Sequence, residues 1–156
     1  MAVPAAAWPA RLRGLSGYLV PKPDQRHVTA ASFGSQKWAH WRPDDGSEVL
    51  RVSLGRDGLP VSHLDDDAVL ASVADELHRH LAIDVDTAGA RISRWPAAFP
   101  QYRPHHARWV DDVRAALPAG LTVGGASYDG IGIPACVRQG EQIAACLSHQ
   151  VSEARY

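Results

Sequence analysis

A glycine-rich turn between a β-type run and a proline-led helix constrains this chain more than any other stretch. It reads Leu121-Thr122-Val123-Gly124-Gly125-Ala126-Ser127-Tyr128-Asp129-Gly130-Ile131-Gly132-Ile133-Pro134-Ala135-Cys136. Leu121 to Ala126 reads as a short strand, Gly130 and Gly132 as turn residues, and Pro134 as the opening of a helix. Proline loses nothing in the first helical turn, because its missing N–H would have no intrahelical partner there. The free N–H groups and positive dipole end that follow suit an anionic or electron-rich ligand edge. A ligand-free strand–turn–helix is the ordinary reading of the same residues, and both stand at this point.

Gly130-x-Gly132-x-x-Ala135 matches the dinucleotide fingerprint G-x-G-x-x-A. That fingerprint needs a second strand after the helix, ending in an acid about 20 residues on. The helix is expected to run to about Gln150, so Glu153 has the spacing but no strand to sit on. The Rossmann reading fails.

Sixteen basic residues against seventeen acidic ones leave a net charge of −1, which gives no footing for nucleic acid or an acidic membrane. A chain of 156 residues can bury one modest core. Cys136 and Cys146 fall on the same proposed helix about 15 Å apart, too far to bridge. Two reduced thiols fit a cytoplasmic protein, with peripheral membrane association left open. Pro4 and Pro9 break the alanine-rich start, which has no signal-peptide order. No apolar run reaches the length of a transmembrane segment.

Residues 1–13 give no clear period. Gly17 to Val20 reads as a strand stopped by Pro21 and Pro23, and His27 to Phe33 as its antiparallel partner. Tyr18 and Phe33 on this pair either pack or face a cavity. Glu48 to Leu54 alternates, with Leu50, Val52 and Leu54 on one face, as a half-buried strand does.

Asp65 or Asp66 caps a helix whose Leu70, Val73, Ala74, Leu77 and Leu81 form one apolar stripe. Asp84 to Gly89 reads as a turn and Arg91 to Trp95 as a strand. Pro96 and Pro100 enforce an extended connection. Pro104 opens a second helix with Trp109, Val110, Val113, Ala116 and Leu117 on one side, and Pro118 and Gly120 stop it. The last helix carries Cys136, Gly140, Ile143, Ala144, Leu147 and Val151 on one stripe. Gly140 inside it costs about 1 kcal/mol relative to alanine, so a close approach of other atoms is expected there.

Eight histidines raise the question of a metal. His78 and His80, and the neighbours His105 and His106, diverge on a helix, and no H-x-x-x-H, C-x-x-C or H-E-x-x-H occurs. They read as surface histidines. The consecutive Asp65, Asp66 and Asp67 read as capping rather than a metal site, and G-x-S-x-G is absent. Trp38 and Trp41 around His40 suit either stacking on a flat ligand ring or aromatic packing.

Three motifs, in order, carry a resemblance. The first is Gly17-Tyr18-Leu19-Val20-Pro21 taken with Ser35-Gln36-Lys37-Trp38 downstream, the second Arg94-Trp95-Pro96-Ala97-Ala98-Phe99-Pro100-Gln101-Tyr102, and the third the run from Gly124 to Cys136 with Gly140. Together they resemble the carboxy-terminal portion of the oxygen-dependent protoporphyrinogen/coproporphyrinogen oxidase family. Ala39 and His105 stand where that family's pattern has proline and glycine.

The resemblance implies a mixed α/β (α+β) chain: the C-terminal part of an FAD-dependent amine-oxidase-like fold. Residues 1–117 would be a substrate-domain portion with two helices, and residues 118–156 the strand–turn–helix of the FAD-binding domain. It implies that Ala126, Ile131, Gly132 and Ile133 contact FAD, that Phe33 contacts a porphyrinogen, and that oxygen is the second substrate. No catalytic or metal-binding residue is assigned. The Gly-rich unit that would hold the ADP half of FAD is missing, so a separate N-terminal half is the implied partner. Composition suggesting a GC-rich bacterium favours coproporphyrinogen III over protoporphyrinogen IX. The alternatives are another amine-oxidase-type flavoprotein, a catalytically silent fragment, or a partner-binding module.

Overall fold

A computed structural model of the chain describes residues 1–87 and 89–153, with side chains to 148 in the final helix. It divides into two compact units, Met1–Arg94 and Trp95–Tyr156.

The first unit is a four-stranded antiparallel sheet backed by a helix. Its strands are β1 (Ala2–Val3), β2 (Gly17–Leu19), β3 (Val28–Phe33) and β4 (Glu48–Leu54), in the order β1-β4-β3-β2. The predicted hairpin forms, with Tyr18 opposite Ala31 and Leu19 opposite Ala30. β4 has the bounds its alternation predicts, and Leu50 is buried while Val52 and Leu54 pack partly against the core. β1 was not legible, because two residues carry no period; it exists because β4 offers a free edge to Ala2 and Val3.

After β3 the chain makes a single turn, α1 (Gly34–Lys37), and then the longer α2 (Asp66–Leu81). Of the two expected caps, Asp65 takes the position on α2, its carboxylate accepting the Ala68 N–H at 2.8 Å. The buried stripe is turned from the expected one: Val69, Val73, Glu76, Leu77 and Leu81 are buried, while Leu70 and Ala74 are only half-buried. Val73, Leu77 and Leu81 join Val3, Trp8, Val28, Phe33 and Leu50 in one cluster. Burying a side chain of leucine size contributes roughly 1.5–3 kcal/mol.

The rotation has a polar cause. Glu76, 1% exposed, accepts the backbone N–H of His27 at 2.9 Å and of Val28 at 3.2 Å, and the Ser72 hydroxyl donates to it at 3.3 Å. Arg79 reaches the same carboxylate at 3.4 Å. A carboxylate inside the core is tolerable only when its lone pairs are satisfied in this way.

The second unit contains α3 (His106–Ala115) and α4 (Ile133–Glu153). α3 starts two residues later than Pro104, after a left-handed His105 at φ 66°, and it buries Val110 alone; Trp109 is half exposed. α4 begins at the predicted Ile133-Pro134 but extends past Gln150. Ile143 and Leu147 on it are half-buried, and the side chain of Val151 lies outside the described residues. Gly140 meets nothing within 4 Å of a Cβ, so the close approach expected there is not found among the described residues.

Two expected strands are absent from the sheet. Leu121–Ala126 and Arg91–Trp95 run without ladder pairing among the described residues. A β-type sequence needs a neighbouring strand to form a ladder, and neither segment has one among the described residues. The turn expected over Asp84–Gly89 includes Ala88, which lies outside the described residues. The mixed α+β class holds, with a four-strand antiparallel sheet and four α-helices among the described residues.

Candidate functional site

The glycine turn is held from both sides within the second unit. Tyr128 N–H donates to Gly125 C=O at 3.0 Å, giving the turn its own closure. The Tyr102 hydroxyl donates to Ala126 C=O at 2.6 Å and accepts the Gly130 N–H at 2.7 Å. His106 lies flat on Tyr102, with ring centroids 4.0 Å apart and planes at 9°. Its Nε2 sits 3.1 Å from Tyr128 C=O, which requires the proton on that nitrogen. Trp109 continues the aromatic row, parallel to Tyr128 at 6.1 Å.

From α3, Arg114 pairs with Asp129 through both terminal guanidinium nitrogens, and this contact raises the arginine pKa above its usual value. From α4, the carboxamide oxygen of Gln139 accepts the Gly125 N–H at 2.9 Å. Gln139 is 4% exposed, and its Nε2 has no hydrogen-bond partner among the described residues. Cys136 Sγ lies 3.6 Å from Gly130 C=O, and its N–H donates to Gly132 C=O at 3.0 Å, the first bond of the helix. Cys136 is a half-buried free thiol.

Two glycines here have distinct reasons. Gly130 has φ 122°, and a Cβ on it would lie 2.9 Å from that of Ala135. Gly132 has no such φ, and its Cβ would meet only Pro134 Cδ at 3.8 Å, an ordinary contact. The strained position is therefore Gly130, and Gly132 is unconstrained by its own chain.

Four of the sequence-predicted site residues come together here. Ala126 is half-buried at the start of the turn, and Ile131, Gly132 and Ile133 form an exposed lip leading into α4. Ile133 is 82% exposed, which is unusual for isoleucine. Beside the turn, Pro100, Tyr102, His106, Trp109 and Ser127 line an open groove of about 450 Å³.

Phe33, the fifth, lies in the first unit and is 1% exposed. Trp8 packs edge-on against it at 4.9 Å, and Tyr18 lies tilted at 6.3 Å. Trp38 and Trp41 make a tilted pair at 5.1 Å, and Trp41 covers Gly34, where a Cβ would come within 2.2 Å of its ring. That contact is packing, although both tryptophans keep an exposed edge.

Sequence reasoning missed four residues that hold the turn: Tyr102, His106, Arg114 and Gln139. Tyr102 had a signal, since it ends the Trp95–Tyr102 motif. His105 and His106 do diverge, as their adjacency requires, but the divergence places one ring on Tyr102 rather than in solvent. Arg114 and Gln139 carried no local signal, because their partners lie 15 and 14 residues away.

No family model matches the chain. Similar curated proteins nevertheless exist, and they are oxidases. The coproporphyrinogen III oxidase of Mycobacterium tuberculosis (strain H37Rv) is 43% identical over 123 residues, which is 78% of this chain and 26% of that protein. The coproporphyrinogen III oxidase of Mycobacterium leprae is 35% identical over 138 residues, 88% of this chain and 30% of that protein. The one from Bacillus subtilis (strain 168) is 28% identical over 130 residues, 81% of this chain and 27% of that protein. The chain spans about a quarter to a third of the length of these relatives. Over that stretch the chain is similar to these coproporphyrinogen III oxidases.

Proposed function

We propose that the chain is the C-terminal part of a flavin-dependent oxidase that converts coproporphyrinogen III, or protoporphyrinogen IX, to the porphyrin with oxygen in haem biosynthesis. The observation that carries this reading is the exposed lip Ile131-Gly132-Ile133, held on a turn fixed by Tyr102, His106, Arg114 and Gln139, in a chain 43% identical to a coproporphyrinogen III oxidase. Two large isoleucines kept in water flank a glycine whose absent side chain leaves room for a flat ring. The residues present therefore fit FAD: Ala126, Ile131, Gly132 and Ile133 would touch the isoalloxazine portion. When bound, FAD supplies hydride acceptance from the porphyrinogen and reoxidation by oxygen. The chain's own part is to place the lip, exclude water with the two isoleucines and offer the α4 N-terminus to negative charge.

In this reading residues 1–117 serve the substrate and residues 118–156 the cofactor. Phe33 is the substrate contact, and because Trp8 covers its ring, that contact needs Trp8 displaced. A large exposed apolar set in the second unit, including Trp95 at 78% and Phe99 at 66%, supports an additional N-terminal half as partner. No described helix is long and apolar enough to cross a membrane.

The test joins the chain to the N-terminal portion of its mycobacterial relative. FAD absorbance after desalting and porphyrin emission in air, with coproporphyrinogen III and protoporphyrinogen IX offered separately, are the readouts. A joined, folded protein without either signal removes the proposal.

A further inference from the structure

We infer that Tyr102 is a positioning residue whose hydroxyl clamps both ends of the Ala126–Gly130 turn and so sets where the Ile131-Gly132-Ile133 lip stands. The inference rests on the flavin reading proposed above and adds a residue to it.

A phenol hydroxyl has one proton to give and lone pairs to receive with. Here both capacities are spent on the same turn, at 2.6 Å to Ala126 C=O and 2.7 Å from Gly130 N–H. One oxygen therefore bridges backbone atoms four residues apart. The turn's own bond, Tyr128 to Gly125, spans only its first half. Without Tyr102, Gly130 would keep its fit against Ala135, the contact of its carbonyl with Cys136 and, through the preceding residue, the Arg114–Asp129 pair, but no bond to its own N–H from Tyr102. Glycine at φ 122° has little intrinsic preference to keep it there.

The lip follows directly. Gly132 is two residues past Gly130, and its carbonyl accepts the first α4 bond from Cys136. A shift at Gly130 is passed to the lip, because α4 fixes the far end of the segment.

The ring is itself well placed. It lies on His106 at 4.0 Å, and His106 holds Tyr128 C=O within the same turn. Tyr102 and His106 thus form one plate attached to the turn at Ala126, Tyr128 and Gly130. Pro100 and Pro104 bracket Tyr102 two residues to either side and restrict the backbone that delivers it. Tyr102 is 42% exposed. Water competes with its two bonds, and any group that covers the turn strengthens them by excluding that water.

Tyr102→Phe removes the hydroxyl and keeps the ring on His106. In the 156-residue chain by itself, the Gly130 amide should then exchange with solvent about tenfold faster, the size expected for losing hydrogen bonds of ordinary net strength. In the protein joined to the relative's N-terminal portion, retained FAD should fall and the visible flavin band should shift. Tyr102→Leu, which also loses the stack, should lose more FAD than Tyr102→Phe. Gly132→Val serves as the separate check on the flavin reading. Unchanged Gly130 exchange overturns the clamp. Faster exchange with an unchanged flavin band, where Gly132→Val does lose FAD, overturns the positioning role while leaving the flavin turn standing. FAD retained by both Tyr102→Phe and Gly132→Val overturns the flavin reading and this inference together.

Discussion

The Tyr18 hydroxyl lies 3.0 Å from Nδ1 of His80, joining the hairpin to the last turn of α2. The rings meet edge-on at 5.5 Å. Burial, then the nearby Glu76 carboxylate, pushes the Tyr18 pKa up to about 12. Burial, then the Arg79 charge, pushes the His80 pKa down. Both shifts favour the neutral pair, and they predict a stability plateau with two edges. A phenol raised in the folded state contributes stability that is complete below about pH 10 and lost as pH rises toward about 12. An imidazole lowered in the folded state contributes stability that is present above about pH 6.5 and lost as pH falls through its lowered value. Thermal melts across pH should show Tyr18→Phe flattening the alkaline edge and His80→Gln reducing the acid one. Identical pH profiles for parent and variants would remove the linkage.

Glu76→Ala should be among the costlier single changes in the first unit. It strands the His27 and Val28 amides, and each unsatisfied buried group costs about 1–3 kcal/mol. Glu76→Gln keeps an acceptor and should lose less. Urea unfolding measures both, and a neutral Glu76→Ala would mean that water replaces the carboxylate.

Phe33→Ala separates packing from substrate contact. With the ring 1% exposed against Trp8, the loss expected from packing is about 3–5 kcal/mol. If Phe33 also meets substrate, a Phe33→Leu variant of the joined protein should stay folded and keep FAD while its KM for porphyrinogen rises. An unchanged KM assigns Phe33 to the core alone.

Gly130 and Gly132 should respond differently to added side chains. Gly130→Val strains a left-handed backbone and meets Ala135, so the isolated chain should lose stability by about 1–3 kcal/mol. The Cβ of Gly132→Val meets only Pro134 Cδ, at an ordinary 3.8 Å, and the change should leave the melting temperature near that of the parent. Its effect should appear only as lost FAD in the joined protein, read by absorbance after desalting.

The 156-residue chain by itself should neither retain FAD nor produce porphyrin. It offers the lip but no Gly-rich cradle for the pyrophosphate, and a few contacts do not offset the entropy of immobilising the cofactor. Flavin fluorescence after desalting and porphyrin emission in air check this. A yellow protein that generates porphyrin would show a complete flavin site within these residues.

Local pattern determined the elements whose stability is written in consecutive residues. Alternation delimited β4, Asp65 capped α2, and Pro134 marked the start of α4. The glycine turn and the Trp95–Tyr102 motif were also legible, because their residue types are unusual at that spacing. Pairing and long-range hydrogen bonds were decided only by the tertiary structure. Ala2–Val3 became a strand because β4 offered an edge, while the better β-type run Leu121–Ala126 stayed unpaired among the described residues. Glu76 entered the core because the amides of His27 and Val28, where β3 begins, converge on it, which no helical stripe reveals. Tyr102 reached Gly130 across 28 residues of chain. A period reports which face a segment prefers to bury, but a hydrogen bond needs its partner in place, and only the folded backbone puts it there.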